Sequence, residues 1–155
     1  MHILFNHIKK YIKIILFSIL SIFFVSSGNA ELTVEDIVKS RQALFSKNYS
    51  TAKRVQAFSS KGDFEKAKKL MIEMNENYKV LIDLFPESTE DEFDTGALAT
   101  VWEEKDAFNA LMTKASEDMI KLTSVIEDVD DIRGTLTKFM WSNCKACHSR
   151  YREEH

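Results

Sequence analysis

The chain has 155 residues, 45% of them hydrophobic and 29% charged, with 21 basic and 24 acidic side chains giving a formal charge of −3. That length fits one domain around a single core. An acidic chain without a basic run excludes nucleic acid as a partner.

Residues 1–30 read as a secretory signal peptide. Lys9, Lys10 and Lys13 form a positive start, an apolar run covers Ile14 to Val25, and "SSGNA" offers a cut after Ala30. The apolar run is short against the roughly 20 residues a spanning helix needs. Export to the periplasm is therefore expected, with no membrane insertion after cleavage. The mature domain would be residues 31–155, with 18 basic and 24 acidic residues and a charge of −6. Cys144 and Cys147, the only two cysteines, would not persist as free thiols in an oxidising compartment unless something used them.

Apolar residues recur every three or four positions, which predicts helices, and no run of alternating β-branched residues predicts a strand. The first helix opens at Thr33 with Asp36 three residues on, a near capping box. It carries Ile37, Arg41, Leu44, Phe45, Ala52 and Val55 on one face as far as Phe58 or Ser59. Asp63 caps the second helix, whose apolar stripe runs from Phe64 to Phe85 before Pro86 stops it. "PESTEDEFDTG" is a surface loop. The third helix runs from about Ala97 to Ile126. "EDVDD" interrupts, and Asp130 or Asp131 caps a fourth helix through Ile132, Leu136, Phe139 and Met140. Gly134 inside it costs about 1 kcal/mol against alanine. Four helices with mostly short connections predict an all-α, antiparallel up-and-down four-helix bundle.

The fourth helix enters "CKACHSRYREEH". At 100° per residue, Cys144, Cys147 and His148 project within an arc of about 100°. Two thiols one turn apart can add to two vinyl groups of a haem, leaving the imidazole to meet the iron; Cys-x-x-Cys-His is the pattern of c-type haem attachment. Three other uses compete. A Cys144–Cys147 disulfide would close too small a loop to stabilise much. A thioredoxin-like pair wants a preceding strand. A structural zinc site would have to draft His155 as fourth ligand. His148 takes one axial position of the iron, and the few residues after it cannot cover the opposite face. Side chains from the upstream helices must face it.

Over nearly the whole mature chain, the sequence resembles the cytochrome c′ family. "CKACHSRYR" is similar to the family's C-terminal signature, "VEDIVKSRQALF" to its first helix, "LFPEST" to the end of its second and "VWEEKDAF" to the start of its third. The resemblance implies one covalent haem c held by Cys144 and Cys147, with His148 on the iron. It also implies Arg41 and Gln42 at the propionates, Phe45 over the open face and Arg152 on the proximal side. Helical projection likewise puts Arg152 at 80° on the arc of His148. The segment after Pro86 departs from the family's glycine-rich version.

Phenylalanine has no ligating atom, so a five-coordinate, high-spin iron is expected. Met71, Met74, Met112, Met119 and Met140 lie on packing faces. Trp102 and Trp141 read equally as core or haem contact. The resemblance further implies binding of nitric oxide and carbon monoxide, or single-electron transfer with an unidentified redox partner, and a possible homodimer through the first two helices. A six-coordinate low-spin relative would use a first-helix methionine, and Glu31 to Phe58 contains none. A haem-free exported binding protein with a disulfide is the alternative of a different class. No paired acid and base, activated serine or phosphate loop suggests an enzyme.

Overall fold

A computed structural model describes residues 32–90 and 95–154. The expected signal peptide and His155 lie outside the described residues.

Helix α1 spans Val34–Ser59, and its start is the full capping box. The Thr33 hydroxyl accepts from the Asp36 amide at 3.1 Å, and the Asp36 carboxylate receives the Thr33 amide at 3.3 Å. Asp63 caps α2, Phe64–Ile82, as its sequence predicts. Helix α2 ends three residues earlier than expected. Its last turn tightens, with Asp83 and Leu84 amides bonding three residues back at 3.2 Å, because Phe85 precedes a proline and avoids helical angles. A 3₁₀ turn at Glu87–Thr89 follows.

The third bundle helix forms in two pieces, α3 (Thr100–Glu103) and α4 (Lys105–Val125). The chain breaks at Glu104, with φ −115° and ψ 39°. Its carboxylate there receives Arg150 at 2.7 Å and the Tyr151 hydroxyl at 3.2 Å. The helix also starts later than Ala97, because Ala97 instead pairs with Arg152 in an isolated antiparallel bridge.

The fourth helix is likewise composite: α5 (Ile132–Leu136), a π turn (Thr137–Trp141) and α6 (Ser142–Tyr151). Asp131 is its cap, receiving the Gly134 amide at 2.8 Å. That explains the glycine: a Cβ at 134 would collide with the Asp131 carboxylate.

Helix α2 packs between α1 and α4, while the π turn and α6 close against α4. The result is the expected four-helix bundle. Its core runs through Ala52, Val55, Met71, Met74, Leu81, Met119, Leu122 and Met140, all buried. Buried polar pairs add register. Asn75 donates to the Ser116 hydroxyl at 2.7 Å between α2 and α4, and Asn77 to Asn48 at 2.8 Å between α2 and α1.

Candidate functional site

Cys144, Cys147 and His148 all lie on α6. Both cysteines are free and half-buried. Cys147 packs against the core, where burial, reinforced by Cys144, pushes its thiol pKa up to about 11. Burial also raises Cys144, against an opposing hydrogen bond donated by the Tyr78 hydroxyl. Burial, and then the charge of Arg152, lower the His148 pKa from 6.5. The imidazole is therefore neutral at pH 7, the form whose ring nitrogen can bind a metal.

Arg152 does not sit on the helical arc that its spacing suggests. Helix α6 stops at Tyr151 and Arg152 is extended, with φ −133° and ψ 141°. The cause is competition for the backbone: Leu98 donates to the Tyr151 carbonyl at 3.1 Å and Glu153 to Gly96 at 2.9 Å. These bonds draw the chain across the start of the third helix. Arg152 is exposed, yet its charge still acts on His148.

Arg41 is the most unusual residue of the molecule, a guanidinium only 2% exposed. It donates to the Thr89 hydroxyl at 2.8 Å and, more loosely, to the Leu84 carbonyl and Thr95 hydroxyl at 3.4 Å. Its carbon lies 4.6 Å from the Phe85 ring centre and 5.6 Å from that of Trp102. Burial pushes its pKa down. Among the described residues no carboxylate pairs with it.

A second cation stands close by. Lys105 donates to the Phe85 carbonyl at 2.8 Å and lies 5.5 Å from the Phe85 and Phe108 ring centres. Burial and the charge of Arg41 lower its pKa, with Asp83 acting in the opposite sense. The Trp102 indole takes the next carbonyl, Pro86, at 3.0 Å. Cations at the end of a helix answer its unpaired carbonyls, but those carry only about half a negative charge. Arg41 and Lys105 thus both answer carbonyls at the end of α2.

An aromatic cluster joins the two groups. Phe85 meets Phe108 at 4.8 Å, and Phe108 meets Tyr151 at 5.3 Å between ring centres. Tyr151 lies close enough to Cys147 for the ionisation of one to oppose that of the other. Phe45, one turn beyond Arg41 and half-buried, sits edge-on to Phe85 at 6.2 Å. Gln42 is exposed and makes no hydrogen bond among those described. Trp102 belongs with Arg41, whereas Trp141 lies at another corner, bonded to Gln56 at 2.9 Å and edge-on to Tyr49. All five stripe methionines are buried as packing.

Sequence reasoning missed Lys105, Tyr78 and Tyr151. Lys105 had a signal, in a lysine one turn after Val101 on an otherwise apolar face. Tyr78 had none beyond its place in the stripe.

The donor set fits a flat, apolar macrocycle carrying two carboxylates and an iron: thiols for covalent attachment, an imidazole for the metal, aromatic walls for the ring, and two cations for the acid groups. An all-α bundle with this site defines a bundle-type c-type haem protein. The chain belongs to the cytochrome c′ family: the family model described as Cytochrome C′ matches residues 36–152, and members of that family carry covalently attached haem c. A cytochrome c′ of Rhodopseudomonas palustris is 26% identical over 120 residues, covering 76% of this chain and 82% of that protein. A solved structure of cytochrome c′ from Rhodopseudomonas palustris is 25% identical with a TM-score of 0.65, covering 77% of this chain and 97% of that one. A nitric oxide complex of a variant cytochrome c′ from Alcaligenes xylosoxidans, 21% identical, has a TM-score of 0.68 over 80% of this chain and 99% of its own.

Proposed function

We propose that this chain is a periplasmic haem protein that binds small neutral diatomic gases, with Cys144 and Cys147 carrying the haem and His148 its axial ligand. The observation that supports this best is the shared aromatic cluster, which meets Cys147 through Tyr151 on one side and the buried Arg41 on another, with Cys144 and His148 on the same helix as Cys147. When bound, the haem iron supplies an open coordination position for a diatomic ligand. The protein's residues do the rest. Arg41 and Lys105 would receive the two propionates, and Phe85 and Phe108 would exclude water from the ring. Phe45, which has no ligating atom, would cover the open side of the iron. The cytochrome c′ of Alcaligenes xylosoxidans has been solved as variants with nitric oxide and with carbon monoxide bound, which supports the choice of gases. No helix among the described residues is long and apolar enough to cross a membrane.

Single-electron transfer is the second reading, supported by the cations Arg41, Lys105 and Arg152 around the same site. Optical spectra of the exported protein test the assignment: oxidised, reduced, and reduced with nitric oxide or carbon monoxide. A high-spin ferrous spectrum that shifts with either gas is expected, on a chain carrying one covalent haem mass. A colourless chain, or a reduced spectrum already low-spin and unmoved by both gases, refutes it.

A further inference from the structure

The cysteine motif is held at both ends by side chains that neither attach a haem nor bind a metal. At its far end the Arg150 and Tyr151 side chains bond Glu104, and the Thr100 hydroxyl donates to the Arg150 carbonyl at 3.0 Å. At its near end stands Asn143, the residue before Cys144, which is 8% exposed. Its amide donates to the Asp118 carboxylate at 3.0 Å and to the Phe139 carbonyl at 2.8 Å, and its oxygen accepts from Lys114 at 3.1 Å. Asp118 on α4 is only 3% exposed and also takes an ion pair from Lys114, with Lys121 at 3.9 Å.

The Phe139 carbonyl matters because of where it lies. The Ser142 amide reaches back five residues to Thr137, so the ladder is wide here. A π turn holds one residue more than an α turn, which lags the helix after it by about 100°. Asn143 bonds a carbonyl inside that turn while tying α6 to α4. One side chain thus holds both the irregular turn and the rotational setting of the segment that follows.

We infer that Asn143, backed by Asp118 and Lys114, is a positioning residue that fixes the rotation of α6 and so turns Cys147 onto the core and Cys144 toward Tyr78, which sets where His148 projects. The inference rests on the haem reading for its purpose, though not for its geometry. A purely packing role for residue 143 would be served by leucine, which has nearly the same shape; a buried carboxylate facing it would not then be needed.

The test is Asn143→Leu in the haem-loaded protein, read two ways. Hydrogen exchange of the residue 142–148 amides should accelerate by about tenfold or more relative to α2 amides, the scale of losing a buried bond to a charged group. The iron–imidazole stretching band of the reduced protein should shift or broaden, since that band follows ring orientation. Lys114→Met, at an exposed lysine, should give a smaller change of the same sign and keeps the test usable if the leucine variant does not fold. A wild-type band with unchanged exchange, or acceleration equal in α2 and α6, overturns the inference. If the wild-type protein proves colourless, the haem reading fails, while the exchange measurement still decides whether Asn143 holds α6.

Discussion

Replacing Arg41 by methionine separates a propionate-binding cation from a mere helix-end cap. The side chain is 2% exposed, so its charge has lost most of its hydration, a loss of several kcal/mol. Without haem the described return is one short bond to Thr89 at 2.8 Å, two long ones at 3.4 Å, and stacking on Phe85 and Trp102. A bond to a charged group contributes about 1.5–3 kcal/mol and a desolvated cation–π contact about 2. Gain and loss nearly cancel, so Arg41→Met should change the stability of the haem-free Cys144→Ser/Cys147→Ser chain by no more than about 1–2 kcal/mol. With a propionate present, the same substitution strands a buried carboxylate, and breaking such a pair costs about 3–5 kcal/mol. The difference between the two forms should be about 3 kcal/mol, roughly a hundredfold in the unfolding equilibrium. Urea unfolding of both forms measures it as a shift in midpoint at constant slope. Equal destabilisation with and without haem would show that Arg41 serves only the end of α2.

Phe45→Ala should speed carbon monoxide association with the reduced protein, measured by flash photolysis; unchanged kinetics would mean that another group covers the iron. Arg152→Ala should lower the reduction potential, because the arginine's charge, felt at His148, disfavours the ferric form; redox titration checks the sign. Burial works to raise the Asp118 pKa, but hydrogen bonds from Lys114 and Asn143 and the charges of Lys114 and Lys121 outweigh it and hold it below 3.8. Its contribution to stability is therefore full above the unfolded-state pKa near 3.8 and lost as pH falls through the lower folded value. Asp118→Asn should flatten the acid limb of a stability–pH curve in that window.

Local signals carried most of the fold. Thr33 with Asp36, Asp63 and Asp131 each cap the helix their position suggests, because a cap needs only neighbours within a turn. The departures come from distant partners. Glu104 breaks the third helix where Arg150 and Tyr151 meet it, and Arg152 leaves α6 for a bridge to Ala97. No periodicity encodes either event. The π turn is equally silent, since Leu136, Met140 and Cys147 keep an ordinary helical spacing across it. Within the candidate site, Cys144, Cys147 and His148 stand out in the sequence because their spacing suits haem attachment, and the structure keeps all three on α6. Gln42 and Lys105 exchange their expected prominence for a tertiary reason: Gln42 faces water, while α4 carries Lys105 onto the carbonyls that end α2.

The gas and electron readings divide on the mobility of one ring. Phe85 and Phe108 are nearly inaccessible and meet each other at 4.8 Å, and Phe85 is also bracketed by Arg41, Lys105 and Trp102. Phe45 has a single described aromatic partner, at 6.2 Å, and is only half-buried. Of the rings in this cluster it is the one whose displacement disturbs least packing. A ligand that must turn it aside meets an added barrier: 1–3 kcal/mol would slow association by about 5- to 150-fold. Electron transfer asks for no such movement and favours a ring that stays in place. On the proposed reading, Phe45, packed against the core but with one described aromatic partner, would act as a movable gate, which supports gas binding over electron transfer as the primary activity.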